Sequence, residues 1–160
     1  MDPGVCGEHL AQLLREEASL LTELEDLLRR EAGVLESSDI QTLEATTRAR
    51  QERVAALAGI EEQRRSLCAM HGFSADRAGL EGLMAWCDGK GTLLPLLRDC
   101  AERAVRCRDL NDRNGIVVSA RLKRVEGMLG ALTGRTTRSD TYGPRGHVRP
   151  GGRGRVIGAA

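Results

Sequence analysis

Apolar residues in the first part of the chain recur at helical spacing. In residues 8–35, EHLAQLLREEASLLTELEDLLRREAGVL, Leu14, Leu21, Leu28 and Leu35 stand seven apart, with Leu13, Leu20, Leu27 and Val34 beside them. Leu10 and Leu24 widen the stripe, while Arg15, Glu16, Glu23, Arg29 and Arg30 take the other side. The pattern predicts a first helix of about 40 Å, at roughly 1.5 Å per residue. Ser37-Ser38-Asp39 then offers N-cap side chains. Ile40 opens a second stripe that continues through Leu43, Val54, Leu57, Ile60, Leu67 and Cys68. Its least apolar part is 44–53, with Thr46, Thr47, Arg50 and Arg53, and Gly72 after His71 predicts the stop.

Ser74 is placed to cap a short third helix over 75–88, with Leu80, Leu83, Met84 and Cys87 on its inner side and Trp86 between them. Asp88-Gly89-Lys90-Gly91 reads as a turn, and Thr92 as the cap of a fourth helix. Pro95 falls in that helix's first turn, where a missing N–H costs little. From Leu97 through Cys100, Ala104, Cys107, Asn111 and Asn114 to Val118, Val125, Met128, Leu129 and Leu132, helical spacing persists up to Gly134. Unbroken, this helix would span about 60 Å. It is longer than either of the first two, so part of it must overhang or pack elsewhere. The expected fold class is all-α: an elongated antiparallel helical bundle or coiled coil over 1–133 with a long C-terminal helix, then a flexible, disordered Gly/Arg-rich tail over 134–160.

Composition narrows the class. Among 160 residues there are 22 leucines against one Trp, one Tyr and one Phe, so burial must come from interdigitated aliphatic side chains. Sheet folds usually draw on aromatic and β-branched residues, which are scarce here, and base-stacking platforms need aromatics, so the composition argues against both classes. The formal charge of +1 hides an asymmetry, because residues 134–160 hold six Arg against one Asp, or +5, and the rest carries −4. The tail also holds seven Gly and two Pro and cannot bury enough apolar surface to order itself.

Reactive chemistry finds little support. Cys6, Cys68, Cys87, Cys100 and Cys107 contain no CxxC pair; Cys68 and His71 stand at i and i+3, while the histidines at 9 and 147 sit at the chain's extremities. Small thiols filling a Leu/Ala bundle account for them better than a zinc site with four convergent ligands. No Gly-rich phosphate loop and no nucleophile–base pairing is evident, so no enzyme activity, small-molecule substrate or cofactor is expected. Residues 1–20 lack an apolar core, and the longest apolar stretch, Leu93 to Leu97, is far shorter than the roughly 20 residues of a membrane span. A cytoplasmic protein with reduced thiols and no membrane insertion is the expectation. The Arg-rich tail could grip phosphates weakly and in a salt-sensitive way, which argues against nucleic acid as the main partner.

The most informative run is LNDRNGIVVSARLKRVEGMLGAL, residues 110–132. Asn111 and Asn114, followed by Gly115, are poor helix formers inside an apolar seam, and Gly costs roughly 1 kcal/mol against Ala. Two accounts fit. One is a polar layer that fixes bundle register. The other is a notch where a partner approaches.

Leu110-Asn111-x-x-Asn114-Gly115 in a long C-terminal helix, followed by Thr141-Tyr142-Gly143-Pro144 and a Gly/Arg-rich end, resembles the FlgN family of flagellar export chaperones. Leu-x-x-Leu-x-x-Leu-Leu over 21–28, then Glu31, and Arg64 and Arg65 near the end of the return helix are similar to that family as well. The 74–91 segment carries no motif that matches. The resemblance implies a cytoplasmic chaperone that holds the C-terminal helical region of hook-associated (hook–filament junction) proteins and prevents premature assembly. It further implies docking on the cytoplasmic domain of the flagellar export gate, with Tyr142 and its neighbour Gly143 as the contact. The export ATPase complex is a further candidate partner.

Helix-in-groove recognition places the expected cargo contacts on the fourth helix: Val118, Leu122, Val125, Leu129 and Leu132, with Asn111, Asn114 and Gly115 at the notch. The alternatives are a structural or adaptor coiled coil using the same Leu stripes, and a nucleic-acid binder led by its tail.

Overall fold

In the computed structural model, residues 2–37 and 39–133 are described. They form four α-helices: α1 (Pro3–Ser37), α2 (Ile40–Met70), α3 (Arg77–Cys87) and α4 (Leu93–Leu132). There is no strand among the described residues. The chain divides into two compact units, Met1–Lys123 and Arg124–Ala160, and of the second the described part is 124–133.

The helices start where local chemistry can satisfy free backbone amides. α1 begins five residues earlier than the leucine stripe suggests. Pro3 has no N–H to satisfy at the start of the helix, and the Asp2 carboxylate accepts the Gly4 amide at 2.7 Å. Of the three cap candidates before α2, Asp39 performs the role, accepting the Thr42 amide at 3.1 Å. α2 stops as expected: Gly72 adopts φ 77°, and Phe73 N–H returns to the Cys68 carbonyl at 2.9 Å.

Two expected caps are corrected. α3 begins at Arg77 rather than 75, because Asp76, not Ser74, accepts the Gly79 amide at 2.8 Å. The Ser74 hydroxyl instead donates to Asp76 at 2.6 Å, and the Ser74 carbonyl sits where a side chain on residue 79 would be, so Gly79 is required there. At the start of α4 the cap is Asp88. Its carboxylate accepts the amides of Thr92 (2.9 Å) and Leu93 (2.7 Å), and the Thr92 hydroxyl also donates to it.

The core of the first unit is aliphatic and sulfur-rich: Leu10, Leu14, Leu24 and Leu28 of α1, Leu67 of α2, Leu83 of α3 and Leu93 of α4, with Cys6, Cys100 and Cys107. Each fully buried Leu contributes roughly 1.5–3 kcal/mol of hydrophobic burial. Phe73 packs against this core, and Trp86 covers the corner, its ring centroid 4.9 Å from His71 and 6.4 Å from Phe73.

Polar contacts define the register. Glu17, Glu23 and Glu31 of α1 meet Arg64, Arg53 and Arg50 of α2, in that order, so the α1–α2 hairpin is antiparallel. These pairs also explain how α2 runs unbroken through its least apolar stretch, where Arg50 and Arg53 reach back to α1. α4 runs parallel to α1. The Cys100 thiol donates to the Leu14 carbonyl (3.2 Å), the Cys107 thiol to Leu21 (3.4 Å) and the Asn114 amide to Leu28 (2.9 Å). Donors and acceptors both advance by seven, a ladder that holds two heptads in one register. The same offset brings Ser37, the end of α1, level with Lys123, where the first compact unit ends.

Two expected stripe positions do not bury. Ile40, the first residue of α2, and Val54 are both more than half exposed. Ile40 lies at the hairpin corner, where α1 has ended, and Val54 lines an open groove between α2 and α4.

Candidate partner-binding face of α4

The two asparagines of α4 meet a charged pair from the other long helices. Asn114 is 5% exposed and donates from one amide nitrogen to both the Leu28 carbonyl and the Glu31 carboxylate, each at 2.9 Å. Glu31, itself buried, also faces Arg50 of α2 at 3.6 Å, and Arg50 donates to the Asn111 side-chain oxygen at 2.8 Å. One polar layer therefore links α1, α2 and α4, as the register account of Asn-x-x-Asn anticipates. Its charge is compensated, so the buried Glu31 carboxylate has both a cation and a neutral donor.

A second buried carboxylate, Glu25, lies six residues earlier on α1. It is held by Arg29 on its own helix and by Arg106 of α4 at 3.3 Å. Nearer the α3 end, burial raises the Glu17 carboxyl above its ordinary range, although Arg64 at 2.5 Å opposes the shift. All five thiols are buried and free. Burial raises each of them, Cys87 and Cys100 to about 11, so they are poor nucleophiles at neutral pH.

Past Asn114, no residue of α4 is buried among those described. The helix continues through Gly115, where a side chain would meet nothing within 4 Å. In the first unit Ile116, Val117, Val118 and Leu122 are exposed. In the second, Val125, Met128, Leu129 and Leu132 are exposed, Leu132 to 84%. Scattered exposed apolar residues are ordinary, but eight within seventeen consecutive positions of one helix, none covered by another described residue to the point of burial, are not scattered. Of the expected contacts, Val118, Leu122, Val125, Leu129 and Leu132 are open to solvent, while Asn114 points into the bundle. Ile116, Val117 and Met128 share the exposure and were missing from the expected set; the run Ile116-Val117-Val118, three apolar residues in succession, was the signal. Arg50 was missed as a partner of the Asn pair. Tyr142 and Gly143 lie outside the described residues.

The described residues thus form an all-α helical fold with buried thiols and an exposed apolar stretch at the end of α4. The family comparison makes this specific: the family model described as FlgN protein matches residues 7–150, and the chain belongs to the FlgN family, a family of flagellar export chaperones. No curated protein and no solved structure matches the chain. No helix among the described residues is long and apolar enough to cross a membrane.

Proposed function

We propose that this chain is a cytoplasmic chaperone of flagellar type III export that holds the C-terminal helical region of hook-associated proteins and delivers them to the export gate. The observation that carries the reading is the exposed apolar series of α4, from Ile116 to Leu132. Val118, Leu122, Val125, Leu129 and Leu132 alternate steps of four and three, the spacing with which one amphipathic helix meets another. A client helix laid on these residues would remove both apolar surfaces from water and keep its own stripe from premature assembly. Asn114 from within the bundle and Asn111 at its surface serve the site by holding α4 in register at the point where the series begins. Gly115 leaves room for the client backbone.

The tail supplies the second contact. Tyr142, the one tyrosine of the chain, stands beside Gly143 in an Arg-rich segment, and aromatic residues are favoured anchors at protein interfaces. It contacts the export gate.

Titrating the folded Val125→Asp variant with a peptide from the C-terminal region of a hook-associated protein tests the first part. The expected loss is at least about tenfold, since a carboxylate at the interface centre is left desolvated. Unchanged affinity would remove the assignment. The Tyr142→Ala variant should keep client binding and lose binding to the cytoplasmic domain of the gate; undiminished gate binding would remove the second part.

A further inference from the structure

Two grooves follow one another between α2 and α4, within the first compact unit and apart from the proposed client face. The larger, about 920 Å³, runs beside Glu61–Cys68 of α2 and Leu94–Ala101 of α4, with α3 and its flanking residues, from Ala75 to Asp88, as a third wall. The smaller, about 490 Å³, runs beside Arg50–Ala58 of α2 and Cys107–Asn111 of α4, with Leu24 and Leu28 of α1 as floor. Among the described residues the one hydrogen bond that joins α2 to α4 directly is Arg50 to Asn111, at the end of the smaller groove. The two grooves share no lining residue but lie end to end along the same two helices, and together they make the furrow. Along α4, from Leu94 to Asn111, it measures about 26 Å, the length of a helix of some 17 residues. At the smaller groove, α2 and α4 standing apart over α1 leave the position that a fourth helix occupies in a four-helix bundle, and at the larger one α3 adds a side wall.

The charges of the furrow state what that helix carries. Its carboxylates are engaged: Glu61 with Arg65 (2.5 Å), Glu81 with Arg77 (2.9 Å), and Asp76 and Asp88 with backbone amides. Arg64 and Arg50 are matched by Glu17 and Glu31. Arg98 and Arg108 line the α4 wall and have no carboxylate partner among the described residues. They are ten residues apart, close to three helical turns. We infer that the α2–α4 furrow is a second docking surface, for an amphipathic helix of a partner protein that bears an apolar stripe and acidic residues about three turns apart. The apolar floor takes the stripe, and Arg98 and Arg108 each meet a carboxylate, which sets the direction and register of the bound helix.

Fluorescence anisotropy of the full chain tests this with a labelled 18-residue designed helix, apolar at i, i+3, i+4 and i+7 and bearing two Glu eleven positions apart. Saturable one-to-one binding is expected. The double variant R98E/R108E should weaken it at least about tenfold, because each attraction becomes a like-charge contact, and should instead bind the peptide with Lys in place of both Glu. Ala58→Trp, which fills the smaller groove, should weaken both peptides. The inference is overturned by absence of saturable binding to the wild-type chain, or by R98E/R108E binding the acidic peptide as wild type does. It is overturned as well if Val125→Asp abolishes binding while Ala58→Trp leaves it intact, which puts the peptide on the client face, or if native mass shows two copies of the chain closing the furrow. Failure of the client titration with Val125→Asp leaves these outcomes unaffected, so the two proposals stand or fall separately.

Discussion

Asn114 of α4 donates to the buried carboxylate of Glu31 on α1 at 2.9 Å, across 83 positions of sequence. Below this contact α4 is tied to α1 by side-chain donors spaced in heptads; beyond it, none of α4's described residues is buried. The pair therefore marks the boundary between the part of α4 that contributes buried residues and the part whose described residues contribute none.

Asn114→Ala should cost about 1–3 kcal/mol of stability, because the Leu28 carbonyl and Glu31 carboxylate both lose a donor in a buried site. At roughly 2–4 °C per kcal/mol for a chain of this size, thermal denaturation resolves the loss. In a double-mutant cycle with Glu31→Gln, a coupling of about 0.5 kcal/mol or more is expected; additivity would dissolve the layer into independent contacts.

Asp88→Ala removes the acceptor for the Thr92 and Leu93 amides and should cost about 0.5–2 kcal/mol, whereas Asp88→Ser should recover part of that. Burial pushes the Asp88 carboxyl up, but the amides of Leu93 and Thr92 outweigh it and hold the group below its ordinary value. A depressed carboxyl contributes stability that is present above its unfolded pKa, roughly 3.9, and is lost as pH falls through the folded value. Urea midpoints taken from pH 5 downward should fall less steeply for Asp88→Ala than for wild type.

These two residues also show where sequence reading reaches its limit. The α1 stripe was legible because heptads of leucine with no interior proline leave one helical solution, and Gly72 was legible because a helix end in the left-handed region favours glycine. Ser74 and Thr92 were reasonable caps by type; Asp76 and Asp88 displaced them because the direction of the turn, not residue preference, decides which oxygen reaches the amides. Asn111 and Asn114 were visible as misfits in an apolar seam. Their partners Arg50 and Glu31 were not, since pairing across some 60 to 80 residues depends on how α1, α2 and α4 are registered. The cysteines at 100 and 107 read as small fillers, and they are buried; that their thiols address the Leu14 and Leu21 carbonyls became visible only with α1 and α4 set parallel.

Stability should also decline in alkali. Burial raises the Cys100 and Cys87 thiols to about 11. A raised thiol contributes stability that is complete below its unfolded pKa, roughly 8.5, and lost as pH rises through the folded value. Denaturant midpoints should therefore drop between about pH 9 and 11, and Cys100→Ala should flatten the drop while lowering the neutral-pH midpoint. A thiol-reactive dye should label the native chain slowly at pH 7 and all five cysteines after denaturation.

Gly115→Ala separates the helix from the partner. Residue 115 is helical, and a side chain there meets nothing within 4 Å, so the substitution carries no steric cost in the free chain. Alanine in place of glycine at such a site should raise stability by about 0.5–1 kcal/mol, through the smaller entropy lost on folding. Hydrogen exchange of the amides from Ile116 to Leu122 should slow in step, because this stretch of α4 has no buried residue to hold it and local helix propensity sets its opening. If the client backbone uses the space above Gly115, the same variant binds the hook-associated peptide more weakly than wild type despite its firmer helix. A variant that is more stable and also binds more tightly would show that Gly115 serves only to loosen α4, and would move the contact to Val118 and beyond.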